Sequence, residues 1–83
     1  MKVMLFARLR EIHGDDSVAI DDGECPASVA ALRVLLRERV AGELAEALAD
    51  PNVFCAVNQR VVDEQHPLRA TDEVAFFPPM TGG

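Results

Sequence analysis

PASVAALRVLLRERV, residues 26–40, carries the plainest helical period in the chain. Ser28 suits an N-cap, its hydroxyl accepting from a free backbone N–H of the first turn. Val29, Leu32, Leu36 and Val40 then recur on one face with Leu35 alongside, while Arg33, Arg37 and Glu38 are expected to face away. Arg33, Arg37 and Arg39 together read as a solvated helix face, a surface that could also meet an acidic partner. Gly42 breaks this helix. Glu43 to Ala49 (ELAEALA) forms a short second one, stopped at Asp50-Pro51 because a residue before proline is disfavoured in α geometry. A leucine stripe of this kind needs a surface to pack on, and the flanking segments supply a sheet.

Upstream, Lys2 to Ala7 (KVMLFA) is a nearly unbroken apolar run that predicts a strand buried on both faces. His13-Gly14-Asp15-Asp16 is a turn cluster, and Ser17 to Ile20 pairs back as a hairpin closed by Asp21-Asp22-Gly23. Downstream, Phe54 to Val57 (FCAV) is an apolar strand, Asn58-Gln59 turns into Arg60-Val61-Val62, and Glu73 to Phe77 (EVAFF) is the last strand. In that last strand Val74 and Phe76 share one face, Ala75 and Phe77 the other. The order is β-β-α-(α)-β-β-β, and a right-handed crossover through the helix brings a later strand parallel beside the first. The expected fold is therefore α+β, a β-grasp (ubiquitin-like) arrangement: a mixed five-stranded sheet packed on one main helix, plus a short second helix. The domain spans 1–79, and 80–83 is a flexible C-terminal Gly-Gly tail. One helix layer covers one face of the sheet only. Part of the other face, including one of Phe76 and Phe77, is expected to be an exposed apolar patch of the kind that marks protein interfaces.

Eighty-three residues leave room for a single core, and 49% hydrophobic with 27% charged residues is an ordinary globular composition. The net charge of −6, from 14 acidic and 8 basic side chains, argues against nucleic-acid binding, which needs a basic surface. It suits docking on a basic partner, or simply solubility. No stretch is long and apolar enough for a signal peptide or a membrane span, so a cytoplasmic location with no membrane partner is the default. Cys25 and Cys55 fit no metal spacing and no redox pair; they read as free thiols, Cys55 in the core.

The usual catalytic constellations are missing. His13 and His66 are placed in different loops with no carboxylate at a telling spacing, and Asp15, Asp16, Asp21 and Asp22 read as solvated turns, so no metal ligand set is expected. What remains is the ending, FFPPMTGG, residues 76–83. At ~7% glycine usage a terminal Gly-Gly arises by chance in roughly one chain in 200, so its setting must carry the weight. Pro78-Pro79 cannot donate to a ladder and aims the chain outward. Met80, Thr81, Gly82 and Gly83 reach at most ~14 Å when extended. A tip of two glycines has the smallest cross-section a peptide can have, so it can thread a narrow cleft and present its α-carboxylate inside. Adenylation by ATP would open that carboxyl carbon to an amine, a thiol or a persulfide, giving an isopeptide or a thiocarboxylate.

The opening VMLFARLRE, AVNQ at 56–59, HPL at 66–68 and above all DEVAFFPPMTGG at 72–83 resemble the small subunits of molybdopterin synthase, the MoaD-type sulfur carriers of molybdenum cofactor synthesis. The resemblance spans essentially the whole chain. It implies that Gly83 is adenylated by an E1-like adenylyltransferase using ATP and Mg²⁺, then converted to a thiocarboxylate by a persulfide sulfur donor. It implies that Gly82, Thr81 and Met80 thread into a large synthase subunit, which binds cyclic pyranopterin monophosphate and supplies the catalytic side chains. The family complex it implies is a heterotetramer of two large and two small subunits. Phe76, Phe77, Pro78 and Pro79 become the partner-binding segment, and the chain itself binds no cofactor. Sulfur carriers for thiamine, cysteine or tRNA thiolation, a ubiquitin-like protein modifier and a plain interaction module are the alternatives that this ending leaves open.

Overall fold

A computed structural model describes residues 1–79. Five strands form one mixed sheet: β1 (Lys2–Leu5), β2 (Ser17–Ala19), β3 (Phe54–Val57), β4 (Arg60–Val62) and β5 (Val74–Phe77). Their order across the sheet is β2-β1-β5-β3-β4. β1 and β5 run parallel at the centre, with Val3 opposite Val74 and Leu5 opposite Phe76. The remaining pairs are antiparallel. This is the expected β-grasp, with the first and last strands side by side.

Among the described residues three α-helices accompany the sheet: α1 (Arg8–His13), α2 (Val29–Arg39) and α3 (Gly42–Ala49). The stripe of α2 behaves as its spacing requires, with Val29, Leu32 and Leu36 buried. Each contributes roughly 1.5–3 kcal/mol relative to an exposed side chain. They meet Val3, Leu5, Cys55, Val57, Val74 and Phe76 from the sheet in one core. The N-terminus of α2 is fully served. Val29 and Ala30 N–H groups donate to the carbonyls of His66 and Glu64, Ala31 N–H to Ser28 Oγ at 3.2 Å, and Leu32 N–H to Ser28 C=O. The 64–68 segment therefore acts as a second cap, which explains the backbone bridge from Ser28 to Pro67 and the burial of Leu68.

Two expectations are corrected. β1 ends at Leu5 and not Ala7, and a helix, α1, follows it where a turn is expected. α1 places Leu9 in the core and stops at Gly14, whose φ of 80° is left-handed and whose N–H donates to the carbonyl of Arg10. His13 thus ends a helix and does not lie in a loop. The second correction concerns Arg33, expected on a solvated face and found buried. Its guanidinium donates to the carbonyls of Leu48 and Val53, both at 2.9 Å, and to both carboxylate oxygens of Glu64 at 2.9 and 2.8 Å. Leu48 lies in the last turn of α3, where carbonyls lack helical partners and a cation is favoured. The guanidinium carbon also lies 5.1 Å from the centre of the Phe76 ring. Burial is tolerated here because donors are matched to acceptors and the ring supplies a face.

The β3–β4 turn is built on Asn58 and Gln59, with φ of 51° and 68°. Both central residues are left-handed, as a tight type I′ hairpin turn requires, and asparagine tolerates that better than most residues. Asn58 is also tied to the entry of β5. Its N–H donates to Glu73 C=O at 2.7 Å, its amide oxygen accepts from Glu73 N–H, and its amide nitrogen donates to Asp72.

Candidate functional site

Alternation along the strands sorts the sheet into a covered face and an open one. Val3, Leu5, Cys55, Val57, Val74 and Phe76 point to the helices. Met4, Ala75, Ala56 and Val61 lie opposite one another in register across four strands on the other side. Val61 is 69% exposed. Beside this row, two residues further along β1, β5 and β3, stands an aromatic stack. The Phe6 and Phe77 rings lie 4.6 Å apart and 6° from parallel, and Phe54 and Phe77 lie 5.1 Å apart at 10°. Phe6 is 37% exposed, and Phe54 and Phe77 are half-buried. Three stacked rings on a helix-free face form a rigid apolar surface with few side-chain degrees of freedom to lose on binding.

Of the two adjacent phenylalanines, Phe77 is on the open face. Phe76 is fully buried between the sheet and Arg33, so the partner contact expected of it is withdrawn: its ring has no surface to offer. Pro78 is half-buried and Pro79 exposed, directly beyond the stack. Gly83, Gly82, Thr81 and Met80 lie outside the described residues. Phe6 and Phe54 were not singled out from sequence. The signal for Phe6 was available, because Val3 and Leu5 alternate with Met4 and Phe6.

The thiols differ. Burial pushes the Cys55 thiol up to about 12, against a smaller opposing effect of the Arg33 charge. It is a core group with negligible thiolate at neutral pH. Cys25 is half-buried and unpaired. Asp72 is held below the usual carboxylate range, first by the N–H of Arg69 and then by the amide of Asn58. Among the described residues no group of three or more His, Cys, Asp or Glu side chains could hold a metal ion, and no helix is long and apolar enough to cross a membrane.

The fold therefore defines the class: a ubiquitin-like β-grasp domain with an uncovered aromatic face at the root of its last residues. Residues 3–83 match the ThiS family. The molybdopterin synthase sulfur carrier subunit of Escherichia coli (strain K12) is 43% identical over 83 residues, which cover 100% of this chain and 99% of that protein. Among solved structures, a putative molybdopterin converting factor, subunit 1, from Pyrococcus furiosus is similar with a TM-score of 0.65 and 28% identity, covering 95% of each chain. The small archaeal modifier protein 1 of Haloferax volcanii is similar with a TM-score of 0.60 and 29% identity, covering 96% of this chain and 97% of that one. The chain belongs to the ThiS family.

Proposed function

We propose that this chain is the sulfur-carrier subunit of a molybdopterin synthase, with the carboxyl group of Gly83 as the atom set that is charged and discharged. A carboxylate oxygen of Gly83 attacks the α-phosphorus of ATP on an E1-like, Mg²⁺-dependent adenylyltransferase, and pyrophosphate leaves. The outer sulfur of a persulfide donor attacks the resulting acyl adenylate and AMP leaves. A thiol then cleaves the S–S bond of the acyl persulfide, leaving a thiocarboxylate on Gly83 and a disulfide elsewhere. On the large synthase subunit the thiocarboxylate sulfur attacks an oxygen-bearing carbon of cyclic pyranopterin monophosphate, forming a C–S bond as a C–O bond at that carbon breaks and its oxygen departs with the electron pair. Water then breaks the acyl C–S bond, restoring the Gly83 carboxylate and leaving sulfur on the pterin. A dithiolene holds two sulfurs, so two charged carriers are used per product; the assembly is a large-subunit dimer with one small subunit at each end. Catalytic side chains reside on the large subunit, and the setting is cytoplasmic.

The observation that supports this reading best is the partly exposed Phe6–Phe77–Phe54 stack running straight into Pro78-Pro79, in a chain alike over its full length to named carriers. A partner seated on the stack receives the tail within ~14 Å of the proline pair. Intact-mass analysis after incubation with the activating enzyme, ATP and a sulfur source tests the reading; replacement of one Gly83 oxygen by sulfur is expected. Full competence of a chain lacking Gly83 would sink it. The likeness to a protein named as a small archaeal modifier favours a second reading, in which the activated carboxyl is captured by lysine amines. Conjugates surviving on a denaturing blot distinguish that outcome.

A further inference from the structure

Phe6 reaches the aromatic stack through a turn that its neighbour disfavours. Ala7 has φ 51° and ψ −125°. These are the values of the second position in a type II′ turn, where glycine is the usual occupant. The turn closes with Leu9 N–H donating to Phe6 C=O at 3.1 Å. On its near side, Phe6 N–H donates to Phe76 C=O at 3.2 Å, prolonging the β1–β5 ladder by one residue. On its far side, Leu9 is buried in the core and Glu11 N–H donates to Ala7 C=O at 3.1 Å. The reversal at residue 7 thus separates two tasks within four residues. It leaves the Phe6 ring flat against Phe77 on the open face and delivers Leu9 to the covered one.

A non-glycine residue persists in this backbone region only where its surroundings over-determine it, and such positions cluster at binding sites. We infer that Ala7 is a positioning residue for partner docking: its backbone conformation holds Phe6 on Phe77, so the aromatic surface is formed before a partner arrives. The inference rests on the docking role proposed for that surface. A surface ordered in advance loses less freedom on binding than one assembled by the partner. Ala7 is exposed, so its methyl group has no core to pack in. Tolerance of positive φ, and neither size nor hydrophobicity, therefore ranks substitutions at this position.

The test compares Ala7→Gly, Ala7→Asn and Ala7→Val in the full chain. Asn and Val are of similar bulk but differ sharply in tolerance of positive φ. Three readouts are taken: ring-current shifts of the Phe6 and Phe77 protons by NMR, affinity for the adenylyltransferase and the large subunit by calorimetry, and the thermal midpoint. Gly is expected to raise the midpoint and keep both the stack and the affinity, and Asn to keep stack and affinity. Val is expected to lose the ring-current shifts and weaken docking about tenfold or more. Docking of the Val variant at wild-type strength would overturn the inference, as would weak docking with the stack intact or a lowered midpoint for Gly. Should the Val variant fail to fold, the Gly midpoint and the Asn stack still decide. A wild-type chain that bound neither protein would overturn the docking role itself, while the ring-current shifts would separately report whether residue 7 holds Phe6.

Discussion

Phe76 and Phe77 are neighbours on one strand, yet they belong to different parts of the molecule's chemistry. Phe76 faces α2, fully buried, with the Arg33 guanidinium over its ring. Phe77 faces outward between Phe6 and Phe54. Around Phe76 the groups are locked: Arg33 is bonded to four acceptor atoms and the Cys55 thiol is desolvated. Around Phe77 the same kind of ring is stacked between two others and remains half-buried on the helix-free face. Composition alone does not separate a stabilising aromatic from an interacting one. The two-residue period of the strand does.

The sharpest way to break this contrast is to truncate each ring in turn. Phe76→Ala is expected to cost about 3–5 kcal/mol of folding stability through the cavity it leaves, read by urea unfolding. Arg33→Ala should follow at about 2–4 kcal/mol, because Leu48 and Val53 carbonyls lose their donor inside the protein and Glu64 loses its partner. Glu64 is half-exposed, so Glu64→Gln should cost less than Arg33→Ala; the reverse order would mean that the ion pair outweighs the carbonyl bonds. Phe77→Ala should cost less, about 1–2 kcal/mol for the two lost stacking contacts, yet weaken partner docking by about 2 kcal/mol or more, as an anchor residue does. Equal stability losses for the two rings would dissolve the distinction between the faces.

Thiol labelling sharpens it more gently. With an aromatic disulfide reagent at neutral pH, Cys25 should react in the folded protein while Cys55 waits for unfolding. The smallest effect belongs to the rim. Asp72 has a folded pKa below its unfolded value, so its contribution to stability is present above the unfolded carboxylate range and is lost as pH falls through the folded pKa. Asp72→Asn should therefore lower stability slightly at neutral pH, leave it nearly unchanged below the folded pKa, and so flatten the acid limb of the stability profile, as followed by denaturant midpoints.

Most of this architecture is legible in local patterns. The Val29-Leu32-Leu36 stripe, the alternation in VAFF and the Asn58-Gln59 turn each follow from short-range sterics, and each is where its residues say. Failures share a physical cause, in that a distant partner overrides the local rule. Arg33 stands four residues after Val29 and three before Leu36, squarely within the stripe, but charge argued for an outward face until Glu64 and two carbonyls were seen to meet it. α1 holds six residues, too few to stabilise a helix alone, and its start is masked by the apolar run before it. Phe6 and Phe77 lie 71 positions apart, and only the parallel pairing of β1 with β5 stacks them. The last four residues, on which the proposed chemistry turns, were readable only as composition and resemblance.

The pairing of the first strand with the last has a bearing on biosynthesis. β5 fills the centre of the sheet, between β1 and β3, and brings Val74 and Phe76 into the core. A nascent chain cannot complete this core while residues 74–77 are still inside the ribosome, and contacts of such long sequence separation form slowly. Products of premature termination upstream of β5 lack the middle of their sheet and stay open to proteolysis. Maturation thus screens the population, so that the molecules reaching their native state carry the strand that leads to the segment proposed to bear the sulfur.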